Sequence, residues 1–315
     1  MPPIFIVGSG RSGTSLLRAL LNAHPDVHLG QETALVRWMD RWPELSGAAF
    51  VDAWRQTAAG ALFQPDPVQV PATATPADAV AAVLQARAAR FGRTRWGDKT
   101  PLHALHLPQI WAAWPTARVV AMTRHPVPTV ASLRRMPWSS GSLITDAVLV
   151  EQALRALPND ERLLRVKLED LLADPPTTLR AVLAHLDVPW SDQVLDHPAH
   201  APFSADPRVP WLTGAERPLR VVITGPSDLS PQQVSLIQAI CPPTRHGYAP
   251  WTRPAAAGWA LEAARQLPRA LGFAGKMVAM PSTRPGQSDP RAQLRWLLSL
   301  NPDAAAPELA DRVLP

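Results

Sequence analysis

The stretch Ile4–Leu17, IFIVGSGRSGTSLL, constrains the fold more than any other part of the chain. An apolar run feeds a glycine-rich turn, and the turn feeds a helix-forming run. Ile4–Val7 reads as a buried strand, and Thr14–Ala23 reads as a helix with Leu16, Leu17, Leu20 and Leu21 on its inner face. A strand–glycine loop–helix unit aims backbone N–H groups and the positive helix end at one point, which suits an anion. The loop fits two phosphate-binding patterns. Gly8, Gly10 and Gly13 give G-x-G-x-x-G, the spacing of a dinucleotide-binding turn, and Glu32 stands near where a ribose-binding acid belongs. Gly8, Gly13 and Ser15 give G-x-x-x-x-G-x-S, a phosphate loop with Thr14 in place of lysine.

Further strands are expected at Val27–Leu29, in ARVVAMTR (117–124) and at the start of RLLRVKLEDLL (162–172), with helices between them. Residues 33–92 read as mostly helical, interrupted by the proline-rich QPDPVQVPATATP (64–76). Helices are also expected in HALHLPQIWAAW (103–114), from PTVASLRRM (128–136) and in LSPQQVSLIQAICPPTRHGY (229–248), where Pro231 lies in the first turn. The proline-rich residues 196–228 are expected to wrap the surface. Strands alternating with helices predict an α/β fold of three layers, a central parallel sheet flanked by helices, in the manner of P-loop proteins. Residues 1–248 form the catalytic domain in this reading. After Tyr248 the composition shifts to Ala, Pro and Arg, so residues 249–315 are expected to be a helical extension.

With 46% hydrophobic residues the chain can bury a large core, and it holds no 18-residue apolar run. The glycine loop lies so near the N-terminus that no signal peptide is expected. A single cysteine, Cys241, excludes a disulfide framework and a cysteine metal site. His103 and His106 have ligand-like i,i+3 spacing but no evident third ligand, so no metal is expected. The net charge of +5 rests on scattered arginines, with Lys only at 99, 167 and 276, and no basic stripe indicates nucleic acid. A cytoplasmic protein without a membrane or nucleic-acid partner is the expectation.

The dinucleotide reading puts Arg11 inside the turn where the backbone should approach a pyrophosphate. A P-loop kinase using ATP and magnesium needs lysine at position 14 and an acid after a strand, yet the strand at 117–124 ends in Thr123–Arg124. GRSGTSLL instead resembles the 5′-phosphosulfate loop of sulfotransferases that use 3′-phosphoadenosine 5′-phosphosulfate (PAPS), in which a basic residue precedes Ser-Gly-Thr. RSGTSLLRALLNAHPDVHLGQET is similar to the tyrosylprotein and bacterial sulfotransferases throughout. WGDKTPLHALHLPQIWAAWPTARVVAMTRHPVPTVASL, LRVKLEDLLADPPTTLRAVLAHLDVPW and DLSPQQVSLIQAICPPTRHGY continue the likeness in family order across residues 3–248.

The resemblance implies transfer of a sulfuryl group from PAPS, leaving 3′-phosphoadenosine 5′-phosphate (PAP), without a metal. It gives Ser12, Gly13, Thr14 and Ser15 to the 5′-phosphate and the Arg11 fork to the phosphosulfate. Arg124 and Ser132 fall to the 3′-phosphate, Lys99 to the bridging oxygen, and Glu32 to the base that takes the acceptor proton. His28, His103 and His106 are alternative bases. His125, Pro128 and Leu168 depart from the family pattern, as does the absence of a lysine around Thr224–Ser227. The acceptor is expected to be a hydroxyl, less readily an amine, of a small molecule such as a secondary metabolite or carbohydrate. The alternatives are a tyrosyl peptide or a kinase reaction. Trp38, Trp42, Trp54, Phe63 and Trp138 lie in segments expected to cover the cleft. Trp259, Leu261, Leu267, Leu271 and Trp296 are expected to pack the extension on the core or on a second subunit, as in a homodimer.

Overall fold

A computed structural model describes residues 1–63, 67–201, 218–219, 228–251, 258–285 and 287–300. The chain opens with β1 (Ile4–Gly8), α1 (Thr14–Asn22), β2 (Val27–Gln31), α2 (Leu35–Arg41), α3 (Gly47–Arg55), α4 (Ala58–Phe63) and α5 (Pro76–Arg90). Then come β3 (Arg95–Lys99), a 3₁₀ turn (Pro101–His106), α6 (Leu107–Ala113), β4 (Arg118–Thr123), α7 (Pro126–Leu133) and α8 (Leu143–Arg155). β5 (Leu163–Lys167), α9 (Leu168–Ala173), α10 (Pro175–His185), α11 (His197–His200), α12 (Pro231–Ile240), α13 (Gly258–Val278) and α14 (Pro290–Leu298) complete it.

The five strands form one parallel sheet in the order β2-β3-β1-β4-β5. Side chains of β1 alternate between its faces. Ile4 and Ile6 join the core made with α1 and α10, while Phe5 and Val7 join the core made with α6. This produces the expected three layers. β3 separates β1 from β2, whereas the dinucleotide-binding order places the second strand beside the first. Strand order therefore argues against the dinucleotide reading of Gly8, Gly10 and Gly13. The connection from β1 runs to β2 on one side and the one from β3 crosses to β4 on the other, so the sheet has its crevice at the carboxyl end of β1.

Two expected elements begin elsewhere. Residues 101–106 form the 3₁₀ turn before α6, and α7 starts at Pro126 with His125 as its cap. The tryptophans differ more. Trp38, Trp42 and Trp54 are buried in a core shared by α2, α3 and α5, with Trp38 stacked on Trp42 and the Trp54 Nε1–H donated to the Thr33 carbonyl. Of the residues expected to cover the cleft, Trp138 lines the cavity described below. The Phe63 side chain and nearly all of residues 202–227 lie outside the described residues.

α13 does not turn its apolar residues onto the core, one of the two placements expected for them. Its buried residues include Glu262 and Gln266, bonded to Gln233 and to the backbone N–H of Leu143, while Trp259, Leu261, Leu267 and Leu271 are exposed. A polar network on α8 and α12 took the face that hydrophobicity alone would have assigned to the core. No helix among the described residues is long and apolar enough to cross a membrane.

Candidate active site

A cavity of about 830 Å³ sits over the carboxyl ends of the strands, where the crevice was placed by topology. Its floor is the glycine loop. A Cβ on Gly8 would lie 2.3 Å from the Met122 carbonyl oxygen, so β1 and β4 could not stay paired beneath the loop. Gly13 has φ +95° and begins α1, and a Cβ there would meet Leu168 Cδ1 at 2.7 Å. No side chain caps α1, and Thr14 and Ser15 of its first turn face the cavity. That arrangement leaves the positive helix end directed at whatever the cavity holds.

Arg11 is held in the left-handed region, φ 68°, and its Nε donates to Ser132 Oγ at 3.2 Å. Arg124 Nη1 donates to the Arg11 carbonyl at 3.2 Å. Three residues from separate elements thus converge: the loop, the end of β4 and the body of α7. Burial lowers the pKa of both Arg11 and Arg124. Arg124 lowers Arg11 further while Glu32 opposes that, Glu169 partly supports Arg124, and Arg135 presses on both. Two partly desolvated guanidiniums, one of them depressed by the other, are a site for an anion. Ser12 is placed differently from the other candidates. Its hydroxyl donates to the Ser9 carbonyl at 2.8 Å and is fully buried, so it braces the loop.

On the other side of α1, Lys99 ends β3 with its side chain fully buried. Its Nζ donates to Glu32 Oε1 at 2.5 Å and to Ser15 Oγ at 3.2 Å. Burial pulls the Lys99 pKa down, and Glu32 opposes that pull. The carboxylate is positioned by its own backbone: Glu32 has φ 40°, and its N–H donates to the Lys99 carbonyl at 2.7 Å. Asp98 points elsewhere, accepting the Thr100 hydroxyl at 2.6 Å and facing His103 Nδ1 at 3.4 Å. Lys99 therefore joins the helix start to the Glu32 carboxylate.

The alternative histidines are absent from the cavity wall. His28 is buried and stacked on Phe91 with ring centres 4.4 Å apart, and burial together with Arg18 pushes its pKa down to about 3. His103 is buried beside Asp98 and is pushed to about 4, chiefly by burial. His106 sits 3.5 Å from Asp40. Among the described residues, Glu151, Cys241 and His246 come close enough together to share an ion. There, Glu151 is already engaged by Arg245 and His246.

Two departures from the family pattern, His125 and Leu168, have local explanations. His125 Nδ1 accepts the Val127 N–H, so its proton is on Nε2, which donates to the Ala249 carbonyl at 2.9 Å. The neutral ring thereby caps α7 and ties the segment after Tyr248 to the end of β4. Leu168 packs over Gly13 as an apolar lid on the loop.

Several cavity residues escaped sequence reasoning. Asp146 is buried, accepting from Ser140 Oγ at 2.6 Å and Ser139 Oγ at 3.2 Å, and it shapes the loop carrying Trp138. The hydroxyl-rich SSGS before a helix was the available signal. Leu62 of α4, and Leu294 and Leu297 of α14, came without one, because their place depends on long-range packing.

The sulfotransferase family model matches residues 2–192. The protein-tyrosine sulfotransferase of Drosophila melanogaster is 29% identical over 210 residues, covering 62% of this chain and 40% of that protein. Protein-tyrosine sulfotransferase 1 of Homo sapiens is 58% identical over 36 residues, 11% of this chain and 10% of its own length. The chain thus spans less than half the length of these two curated relatives. The solved sulfotransferase domain of the Synechococcus PCC 7002 olefin synthase shares 23% identity, with 76% of this chain and 94% of that one covered and a TM-score of 0.48. Because the family model spans more than half of its residues, the chain belongs to the sulfotransferase family.

Proposed function

We propose that the chain transfers the sulfuryl group of PAPS to a hydroxyl of a small-molecule acceptor. The observation that carries this reading is the junction of Lys99 with both Ser15 and Glu32, on the same cavity as the Arg11–Ser132–Arg124 cluster. The residues fit the donor. Two crowded guanidiniums and an uncapped helix start suit a molecule with separate anionic groups, and the cradle closes if Gly13 gains a Cβ.

When bound, PAPS would supply the sulfuryl group, with PAP as the leaving group. Arg124 and Ser132 would hold the 3′-phosphate, and Arg11 with the backbone of residues 12–15 would hold the 5′-phosphosulfate. Glu32 takes the acceptor proton as the acceptor oxygen forms its bond to sulfur. Lys99 meets the negative charge that develops on the oxygen linking sulfur to phosphorus as that bond breaks. Lys99 would then exchange part of its contact with Glu32 for the leaving oxygen, which frees the carboxylate at the moment it is needed. No metal is required when these cations are supplied by side chains.

Incubation with ³⁵S-labelled PAPS and a panel of phenols, alcohols, sugars and tyrosyl peptides tests the reading. Label should pass to at least one hydroxyl acceptor without added metal. Binding of ATP–Mg²⁺ in preference to PAP by calorimetry would contradict it.

A further inference from the structure

We infer that the acceptor is an uncharged alcohol or phenol with an apolar body, and that α14 forms the wall selecting it. This deepens the proposed reaction and rests on it for the identity of the transferred group. The cavity has two unlike ends. Arg124 follows β4 and Glu32 follows β2, three strand spacings apart in the sheet, or about 14 Å. The arginines Arg11 and Arg124 lie toward the β4 end. On the side of Lys99 and Glu32, Leu102 follows β3, and Ala59, Leu62, Leu294 and Leu297 of the packed pair α4 and α14 join the wall.

Glu32 is the charged side chain that the described residues contribute to this end, and Lys99 neutralises it. The Thr100 hydroxyl, also in the wall, already donates to Asp98. A carbohydrate seated here would leave its other hydroxyls without partners, and an acidic tyrosyl peptide would meet a Lys99 already paired with Glu32 and an Arg11 already within that carboxylate's field. An apolar body loses nothing by leaving water, and its single hydroxyl meets Glu32.

The position of α14 is built from both sides. Gln293 accepts the Ala58 N–H at 3.2 Å through Oε1, pinning α14 to α4. Trp296 Nε1–H donates to the Lys276 carbonyl at 2.9 Å, and Lys276 Nζ donates to the Ser299 carbonyl at 2.6 Å, pinning it to α13. Leu294 and Leu298 are buried by this packing, while Leu297 is half-buried against the cavity.

The test uses 4-octylphenol, glucose and an acidic tyrosyl peptide as probes. Calorimetry is run on the full chain with and without PAP, alongside ³⁵S transfer from PAPS. The expected result is saturable 4-octylphenol binding with or without PAP, and label transfer to it but to neither other probe. Leu297→Asp should weaken 4-octylphenol binding at least tenfold while PAP affinity stays within threefold. Leu102→Asp, at a half-exposed position outside the helix, should weaken it in the same direction and guards against misfolding of the first variant. Preference for glucose or the peptide, or unchanged 4-octylphenol binding in both variants, would overturn the inference. Failure to bind PAP alongside normal 4-octylphenol binding would reject the proposed reaction and leave the apolar seat established.

Discussion

Lys99 and Glu32 show how one pair can serve stability and chemistry together. The ammonium is fully buried, while about a third of the carboxylate side chain is exposed. Removing Glu32 leaves an uncompensated buried charge, so Glu32→Ala should cost about 2–4 kcal/mol in urea unfolding. Adding Lys99→Met should recover much of that loss, because an apolar side chain then fills the buried position. Independent, additive losses in the two single variants and the double variant would contradict the pairing. Arg124 makes a separate claim. Its loss should weaken PAP binding by about 2–4 kcal/mol and leave the already weak binding of adenosine 5′-phosphosulfate, which lacks the 3′-phosphate, nearly unchanged. Equal losses for the two ligands would remove Arg124 from the 3′-phosphate.

At the scale of elements, the loop between β1 and α1 was legible in the sequence because local rules fix it. An apolar strand, glycines at the tight positions and a leucine-rich helix have few alternative arrangements. Gly13→Ala tests the loop directly. The left-handed backbone and the contact with Leu168 should together cost about 1–3 kcal/mol in denaturant unfolding. Leu168→Ala in the same chain should return the steric share alone, and a stability equal to wild type in the single variant would contradict the geometry. The roles proposed for Lys99 and Glu32 came from likeness to a family, and no local rule brings the ends of β2 and β3 together; their adjacency follows from the parallel pairing Gln31↔Lys99. Trp38, Trp42 and Trp54 were misplaced because aromatic side chains suit a cleft and a core alike. Packing of the apolar residues of α13 on the core was misread because Glu262 and Gln266 found buried hydrogen-bond partners on distant elements, which composition does not reveal.

Over the whole molecule, the buried histidines give the stability a pH dependence of definite sign. Folded His28 and His103 titrate near 3 and 4, below the ordinary value of 6.5, so the unfolded chain takes up protons first as pH falls. Their contribution is complete above pH 6.5 and is lost on acidification toward pH 4, by up to about 1.4 kcal/mol per pH unit for each ring. Denaturant unfolding at pH 7.5 and 5 should therefore differ by up to about 4 kcal/mol, and His28→Phe should remove about half of that difference. A stability unchanged over this range would contradict the burial of both rings. The sheet with its cavity was foreseeable from the alternation of strands and helices. The contribution of α14 was not, since nearly 200 residues separate it from β3 and only the folded chain joins them.

The central claim, that Glu32 acts on an acceptor while the arginines hold a nucleotide, is tested most directly by Glu32→Gln, which keeps the side chain's size and its hydrogen-bonding oxygen. PAP affinity by calorimetry and single-turnover ³⁵S transfer from PAPS would be measured on one preparation. The predicted result is transfer slowed by about 10²–10⁴, the range expected for loss of a general base, with PAP affinity within threefold of wild type. Affinity falling in step with rate, or a rate unchanged, would contradict the account.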